Sequence, residues 1–333
     1  MPLTLPFAAL RYNLDHVGSL SDVIAPPYDV IDPELQDELY KKHPANVIRI
    51  ILNRPEPGDE GDEKYDRAAE FVKTWSEQGV LTRDEAPSYY VYHQTFEVDG
   101  KTVVRRGFQA RIKTTPFGEG NIYPHEETHP KAKVDRLKLT TATRQNNSQI
   151  FGLYPDPSNE VIELLDEAAK GVDSVEAVDH LGVKHTIWAV SDPEVCGKVS
   201  ELMASKPVFV ADGHHRYETS CNYKAQLQSE SGQPLPDDHP AGYVMTMLVG
   251  MSDPGMIVLP THRLLRGTPK FSSAQIIAAL DGKFDCQTID GGLGAAQSVW
   301  AEMEDADNQG WLGLYAADDD TWVLAKANEG AAA

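Results

Sequence analysis

The spacing of hydrophobic and polar residues predicts a chain in which strands and helices alternate. The most distinct strand signal lies in residues 88–113, where two segments of alternating polarity flank Asp99-Gly100, a dipeptide that favours a tight hairpin turn. Apolar residues recur at helical spacing in several other segments, which predicts helices over 64–78, 134–143, 159–170 and 193–205. This alternation is typical of a mixed α/β fold.

Residues 22–52 are predicted to contain one helix and one further strand. Asp32 is a typical N-cap and Pro33 suits the first helical position, so we expect a helix to begin there. Residues 46–52 are mostly branched and apolar, which favours a strand. Tyr28 and Asp29 follow two prolines and are expected in a stiff loop, suited either to a substrate contact or to a structural corner.

Residues 207–227 carry the strongest functional signal. A short apolar strand is predicted to end at Asp212-Gly213, and a helix of good helix formers is expected from His214. Free backbone N–H groups and the helix dipole make such a helix start an anion site. Arg216 can grip phosphate, His215 can donate a hydrogen bond, and Asp212 can cap the helix or hold a metal ion. The alternative is a capped surface helix with incidental histidines.

A second segment contains a formal match to a zinc-protease motif. His125 and His129 are spaced as in His-Glu-x-x-His, which binds zinc only when both histidines lie on one continuous helix. Pro124 and Pro130 flank the match, and Pro130 disfavours helical backbone at the second histidine. We therefore reject the zinc-protease interpretation.

Charged residues nevertheless crowd the segment around this match. They can form a solvated ion-pair face or the electrostatic wall of a phosphate or carboxylate site, and the sequence favours neither. The group comprises His125, Glu126, Lys133, Asp135, Arg136 and Arg144. A similar ambiguity holds for Thr261, His262 and Arg263, which follow a strand predicted over residues 256–260: strand ends collect ligands in open α/β sheets, but a surface loop explains the residues equally well.

Composition and charge narrow the classes of protein. The 333 residues include 51 acidic and 30 basic side chains, a formal net charge of −21. Binding to nucleic acid or to anionic membranes requires a basic surface, so neither partner is expected. The three cysteines are odd in number and lack metal-ligand spacing, which favours a reducing compartment. With no signal-peptide pattern and no apolar run of ~18 residues, we expect a soluble, cytoplasmic protein.

Seven spaced motifs resemble one known family, catalogued as domain of unknown function 1015. The motifs are IAPPYDVI (24–31), RRGF (105–108), PHEET (124–128), KVDRLKL (133–139), ATRQNNSQIFGLY (142–154), ADGHHRYET (211–219) and LPTHRL (259–264). Two features depart from the family pattern. Gln149 stands where a proline is common, and members usually continue into a lysine- and tyrosine-rich segment, so a site that needs that segment is expected to be incomplete here.

A more distant resemblance carries an expected chemistry. Gly213-His214-His215-Arg216 is similar to the Gly-x-x-Arg phosphate loop of the ParB/sulfiredoxin superfamily, and closer to the Asp-Gly-His-x-Arg form of its free-serine kinases. The resemblance implies an α/β fold with a mixed sheet and α+β elements. It places a ParB/sulfiredoxin-like main domain over 1–265, interrupted at about 53–185 by an inserted hairpin-and-helix region. A small C-terminal α/β subdomain with a frayed tail would follow over 266–333.

The leading hypothesis is a nucleotide-dependent phosphotransferase that acts on a small hydroxyl metabolite such as serine, with ATP or ADP and Mg²⁺ as cofactors. The phosphates would be held by Asp212, Gly213, His215, Arg216, Arg136, Lys133 and Arg144, and Asp212 would contact the metal. The candidate bases are His214, Glu126, His125 and His262. The substrate contacts would come from Tyr28, Asp29, Thr261, His262 and Arg263.

Two other classes compete with this hypothesis. The first is a non-catalytic nucleotide-binding switch that controls a partner. The second is a metal-dependent hydrolase that uses His125, His214, His215 and Asp212, and it predicts tightly bound zinc or iron. Turnover of a small acceptor separates the kinase from the switch. The acceptor, the direction of transfer and the oligomeric state stay open at this stage.

Overall fold

The structure is a computed structural model, and it describes residues 4–98, 100–128, 130–257, 262–306 and 310–328. The chain divides into two compact units, Met1–Val258 and Leu259–Ala333. The first unit contains all of residues 207–227, the segment with the strongest functional signal in the sequence. No helix in the described residues is long and apolar enough to cross a membrane.

The first unit combines a large sheet with helices. Its strands are β1 (Thr4–Leu5), β2 (Leu10–Tyr12), β3 (Leu81–Arg83), β4 (Tyr89–Val98), β5 (Lys101–Lys113), β6 (Ile122–Tyr123), β7 (Ile150–Tyr154), β8 (Ser174–Val178), β9 (Lys184–Val190), β10 (Val208–Asp212) and β11 (Tyr243–Gly250). Its α-helices are α1 (Leu14–Val17), α2 (Pro33–Lys42), α3 (Ile48–Ile51), α4 (Glu63–Glu77), α5 (Pro130–Thr143), α6 (Glu160–Ala169), α7 (Pro193–Met203) and α8 (His214–Ser231). The mixed α/β prediction is confirmed.

Nine strands form one mixed sheet in the order β6-β10-β7-β11-β5-β4-β9-β8, with β1 also paired to β5. Two neighbouring pairs are parallel: β6 with β10, and β7 with β11. The other pairs are antiparallel. Parallel neighbours end at the same edge of a sheet, so each parallel pair brings two distant loops together.

The main core lies between the sheet and helices α6, α7 and α8. Tyr89, Phe108 and Tyr154 are fully buried and pack edge to face, with ring centroids 5.6 and 6.0 Å apart. Leu165 of α6 and Tyr217 of α8 belong to the same cluster. Burying one large apolar side chain stabilises the fold by roughly 1.5–3 kcal/mol. The contact of Tyr217 therefore fixes the start of α8 against the sheet.

Local sequence signals predict several of these elements well. The hairpin is confirmed as β4 and β5, although Asp99 of its turn lies outside the described residues. Helix α2 begins at Pro33, and the Asp32 carboxylate accepts a hydrogen bond from the Leu35 N–H. Helix α8 follows β10 after Gly213, as predicted from residues 207–227.

The strand predicted over residues 46–52 is wrong, because this segment forms the short helix α3. The Asn46 side chain accepts a hydrogen bond from the Ile48 N–H and donates to the carbonyls of Asp22 and Ile24. Through these bonds the buried backbone groups have hydrogen-bond partners, so no neighbouring strand is needed. Ile48 is fully buried, so tertiary packing overrides the β-propensity of the branched residues.

Helix α5 also differs from its predicted bounds. It begins at Pro130, four positions before the predicted Val134. Proline suits the first turn of a helix because its missing N–H would be unpaired there. His125 and Glu126 therefore lie in the loop before the helix, and the described part of the His-Glu-x-x-His match is not helical. His129 itself lies outside the described residues.

The segment 53–185, predicted as largely an insertion, contributes many strands to the large sheet. Strands β4 to β8 lie within it, and β4 and β5 are central in the large sheet. Helix α4 and strand β3 precede them in the same segment. The region described as an insertion thus builds much of the sheet, and it supplies two of the four strands in the parallel pairs.

The second unit has its own small sheet. Strands β12 (Phe284–Ile289), β13 (Trp311–Ala316) and β14 (Thr321–Ala327) pair antiparallel in the order β12-β14-β13. Helices α9 (Ser273–Leu280) and α10 (Ala296–Glu304) accompany them. Helices and strands are therefore both present in this unit, as the sequence predicts for the C-terminal region. The strand predicted from residue 256 is wrong for residues 256–257, and residues 258–261 lie outside the described part.

Candidate functional site

The first parallel strand pair assembles the candidate site. Phe209 of β10 pairs with Tyr123 of β6 in parallel, so both strands leave the sheet at the same edge. The chain after β6 carries His125 and Glu126, and β10 ends at Asp212. Residues that are far apart in sequence thereby meet at the start of α8.

The start of α8 is built around a glycine in a conformation that other residues rarely adopt. Gly213 has φ +92° and lies at the N-cap position, where no side chain caps the helix. A Cβ at this position would lie 2.9 Å from Ile150 Cγ2 and 2.9 Å from Arg216 Nη2. The glycine therefore allows a sharp turn and a close approach of β7. The first N–H groups of this long helix lack a side-chain cap, as an anion site requires.

Glu126 and His214 meet on one side of this helix start. The Glu126 Oε1 atom lies 2.9 Å from the His214 Nδ1 atom. The His214 ring is fully buried, whereas about half of the Glu126 side chain is exposed (51%). The carboxylate is out of line with the ring N–H, so the contact is close without a well-directed hydrogen bond. A buried imidazole thus adjoins a carboxylate that ligands can reach.

Hydrogen bonds fix the tautomers of the two histidines. The His125 backbone N–H donates to His214 Nε2 at 3.2 Å, so Nδ1 carries the proton of the neutral His214 ring. The His125 Nδ1 atom lies 2.7 Å from the Val210 carbonyl oxygen and donates to it. Burial lowers the pKa of His214, while the Glu126 carboxylate opposes that shift. The lowered pKa favours the neutral ring of His214, whose protonated Nδ1 atom lies 2.9 Å from Glu126 Oε1.

The same three residues do not fit a zinc site as they are arranged. Donor atoms of His125, Glu126 and His214 all lie within 4.8 Å of one another. A neutral imidazole has one lone pair for a metal, and that of His214 already accepts the His125 N–H. Only His125 Nε2 and the carboxylate remain, whereas a catalytic zinc site commonly has three protein ligands. This chemistry weighs against the metal-dependent hydrolase.

The lowered pKa of His214 predicts a specific pH dependence of stability. In the unfolded chain the His214 imidazole binds a proton near pH 6.5, whereas in the folded protein it does so only at lower pH. Protonation therefore favours the unfolded chain, and stability is lost as the pH falls from 6.5 towards the folded pKa. The free energy of unfolding, measured with denaturant at about pH 7.5 and about pH 5.5, should fall less in His214→Gln than in the wild type.

The control for this experiment is His180→Gln, which alters an exposed histidine in a turn. It should retain the full decline of the wild type. Equal declines in wild type, His214→Gln and His180→Gln would contradict a neutral buried His214.

Arg216 lies on the other side of the helix start. Its guanidinium donates to the Asp212 carboxylate at 2.5 Å and to the Gln149 carbonyl oxygen. Only 10% of the Arg216 side chain is exposed. These bonds hold the end of β10, the start of α8 and the start of β7 together. Arg216 therefore supports the loop and also presents a positive charge beside it.

A second arginine lies close by and is held in a similar way. Arg136 of α5 donates to the Ile51 carbonyl oxygen at 2.7 Å and to the Asp135 carboxylate. Its guanidinium stacks 4.0 Å above the centre of the Tyr28 ring. Burial raises the pKa of Tyr28, and the charges of Arg136 and Arg216 oppose that shift. Tyr28 thus lies within electrostatic reach of both arginines.

A small cavity connects these arginines with the segment after α5. It has a volume of about 30 Å³, and Arg136 and Arg216 both line it. Further along, it is lined by Gln145, Asn146, Asn147, Ser148, Thr219 and Ser220. The two arginines and these polar side chains therefore line one cavity between α5 and α8, together with the apolar Ile51, Leu139 and Val244.

The other predicted site residues lie in different places. Lys133 forms an ion pair with Glu218 at 3.4 Å, one turn along α8 from His214. His215 is half-buried in the first turn of α8, and Asp29 is exposed beside Tyr28. Arg144 lines a second, larger cavity, which shares lining residues with the one beside Arg216.

The three candidates after residue 260 belong to the second unit. Thr261 lies outside the described residues. His262 belongs to the second unit, where its ring lies 6.2 Å from that of Trp300. Arg263 also belongs to that unit. Their role in substrate binding stays a prediction.

Several groove residues were missed in the sequence. Asn146, Asn147 and Ser148 lie in the quoted motif ATRQNNSQIFGLY, but only Arg144 was selected from it. Ser220 and Tyr223 lie on α8 beyond the helix start. A run of amides and hydroxyls directly after a helix is the signal that could have indicated them.

Comparison with known proteins agrees with the seven motifs. A family model with the description "Protein of unknown function (DUF1015)" matches residues 4–332. The chain belongs to this family. No curated protein and no solved structure matches. The function must therefore be inferred from the site itself.

Proposed function

We propose that this protein is a nucleotide-dependent phosphotransferase that transfers a phosphoryl group to the hydroxyl of a small metabolite, as a free-serine kinase does. The observation that carries the proposal is the pair of Glu126 and His214 beside the uncapped start of α8. Glu126 suits the role of a proton acceptor, and the start of α8 suits the binding of a phosphate. The similarity of Gly213–Arg216 to the ParB/sulfiredoxin phosphate loop supports the same assignment.

The phosphates would bind at the start of α8. The backbone N–H groups after Gly213 and the helix dipole favour an anion there. Arg216 and Arg136 add positive charge in the adjoining cavity. Their partners Asp212, Gln149 and Ile51 hold both guanidinium groups in place before a ligand arrives. Such preorganised charge lowers the barrier for phosphoryl transfer.

Glu126 would be the general base. The hydroxyl of the acceptor gives its proton to the Glu126 carboxylate, its oxygen forms a bond to the terminal phosphorus, and the shortened nucleotide leaves with the bridging oxygen. His214 is buried and would act through Glu126 as a positioning residue, because its Nδ1 atom contacts the carboxylate at 2.9 Å. His125 in turn fixes the His214 tautomer through its backbone N–H.

Asp212 fits the predicted metal contact. Its side chain is 55% exposed and one oxygen is paired with Arg216, which leaves the other oxygen for a ligand. Mg²⁺ is commonly held by one or two carboxylates together with the phosphates of the substrate. Bound there, it would neutralise charge on the phosphates.

The proposal predicts that Arg216→Ala weakens nucleotide binding by about 10- to 100-fold, the usual value of a charged hydrogen bond of about 1.5–3 kcal/mol. Calorimetry with ATP and ADP, each with and without Mg²⁺, measures the dissociation constants. The matched control is Arg83→Ala, which removes one exposed positive charge from β3 and should leave them unchanged.

Turnover tests the second half of the proposal. Incubation with ATP or ADP and a set of hydroxyl amino acids, serine first, should yield a phosphorylated acceptor. Binding of nucleotide without turnover of any acceptor would favour the switch instead. No binding of any nucleotide would overturn both.

A further inference from the structure

A second cavity continues the groove from the phosphate end. It has a volume of about 330 Å³, within the range that holds small ligands, about 300–1,000 Å³. Thr140, Gln145, Asn146 and Ser220 line both this cavity and the smaller one beside Arg216. The two cavities are therefore adjoining parts of one groove along α8.

The length of this groove matches an extended nucleotide. The residues of α8 that line the two cavities run from Arg216 to Leu227. An α-helix rises 1.5 Å per residue, so these two positions are about 16 Å apart along the helix axis. A ligand with phosphates at the helix start would thus extend alongside Arg216 and Ser220 towards Tyr223.

The far end of the groove has the chemistry of a nucleoside site. Tyr223, Tyr243 and His239 line it, and aromatic rings of this kind stack on nucleobases. The His239 Nδ1 atom accepts the Ala241 N–H, so Nε2 carries a proton that it can donate. The Asn146 Oδ1 atom accepts the Met245 N–H, so its amide group has donors for a base or a ribose.

Arg144 at this end has an unusual backbone. Its φ is +54°, in the left-handed region that favours glycine at the end of a helix. A non-glycine residue there is strained, and such strain concentrates at ligand sites. Arg144 and Tyr223 line the same cavity. The strained backbone thus holds a cation at the rim of the cavity.

We infer that the cavity lined by Arg144, Tyr223 and His239 binds the nucleoside of the nucleotide, with the base stacked on Tyr223. This inference rests on the proposed function, since it assumes phosphates at the start of α8. It assigns the specificity for a nucleotide over inorganic polyphosphate to a part of the groove distinct from the phosphate site.

The test compares ADP, ATP and inorganic tripolyphosphate on the full chain by calorimetry. The wild type should bind the nucleotides more tightly than tripolyphosphate. Tyr223→Ala should weaken nucleotide binding by about 5- to 150-fold, the range of aromatic stacking on a base, and leave tripolyphosphate binding unchanged. Tyr223→Phe keeps the ring and should bind nucleotides as the wild type does.

Arg144→Gly separates binding from folding. Glycine relieves the left-handed strain, so the variant should melt at the same or a higher temperature. It should nevertheless bind nucleotides several-fold more weakly, with tripolyphosphate unaffected. A fall in nucleotide affinity in a protein of undiminished stability cannot result from misfolding.

The possible outcomes distinguish the two proposals. If the wild type binds neither nucleotides nor tripolyphosphate, the proposed function fails and the nucleoside site with it. If nucleotides bind and Arg216→Ala weakens them, but Tyr223→Ala and Arg144→Gly do not, only the nucleoside site is overturned. Equal affinity of the wild type for nucleotides and tripolyphosphate overturns it too. So does a Tyr223→Ala variant that raises only the KM of the acceptor, since the cavity would then hold the acceptor.

Discussion

Gly213→Ala is expected to abolish nucleotide binding and to destabilise the protein by about 2 kcal/mol or more. Two effects add. The residue has φ +92°, which costs an alanine roughly 1–2 kcal/mol. The new Cβ would also lie 2.9 Å from Ile150 Cγ2 and from Arg216 Nη2, so β7 and the guanidinium must shift. Because both hold the start of α8, the phosphate site is displaced together with the glycine.

A matched control exists at the other end of the same helix. Gly232 follows α8 with φ +68°, and a Cβ there would meet nothing within 4 Å. Gly232→Ala should therefore cost about 1 kcal/mol of backbone strain and leave nucleotide affinity unchanged. Denaturant unfolding and calorimetry on both variants measure the two effects separately. Normal nucleotide binding by a folded Gly213→Ala variant would remove the helix start from the site.

Glu126→Gln is expected to lower kcat by about 10²- to 10⁴-fold, the usual contribution of a general base. The amide retains the size of the carboxylate but cannot take the proton of the acceptor hydroxyl. Nucleotide affinity should change little, because the phosphates bind to the backbone of α8 and to the arginines. Steady-state kinetics with the best acceptor, together with calorimetry for ATP, separates the two quantities.

Glu127→Gln is the control, since it makes the same change in the adjacent exposed residue. It should leave kcat unchanged. A pH profile adds a signature of the base: the acid limb of kcat should disappear in Glu126→Gln, because no carboxylate remains to be protonated. Unchanged turnover in Glu126→Gln would contradict the assigned base.

Local signals in the sequence predicted the helix start but not the role of its arginine. The strand, glycine and helix of residues 208–231 follow from short-range periodicity and from the one residue that tolerates φ +92°. The interaction of Arg216 with the Gln149 carbonyl oxygen could not be predicted in this way. It depends on the antiparallel pairing of β7 with β10, a long-range contact.

Errors in the prediction arose where tertiary packing competes with propensity. Residues 48–51 have the composition of a strand, but Asn46 and the buried position of Ile48 make them a helix. No sequence pattern indicated that β4 and β5, within the segment 53–185, are central in the sheet. Strand order is a property of pairing between distant segments, and no local pattern encodes it.

The sequence by itself determined several elements and the family: the hairpin, the capped helix α2, the turn at Gly213 and the seven motifs all depend on residues close together in the chain. Only the tertiary structure decided which chemical groups meet. Glu126 lies beside His214 because β6 and β10 pair in parallel and end at the same edge. His214 is buried, so Glu126 is the member of the pair that a ligand can reach. The sequence does not indicate this difference, because burial depends on the packing of the whole core and not on neighbouring residues.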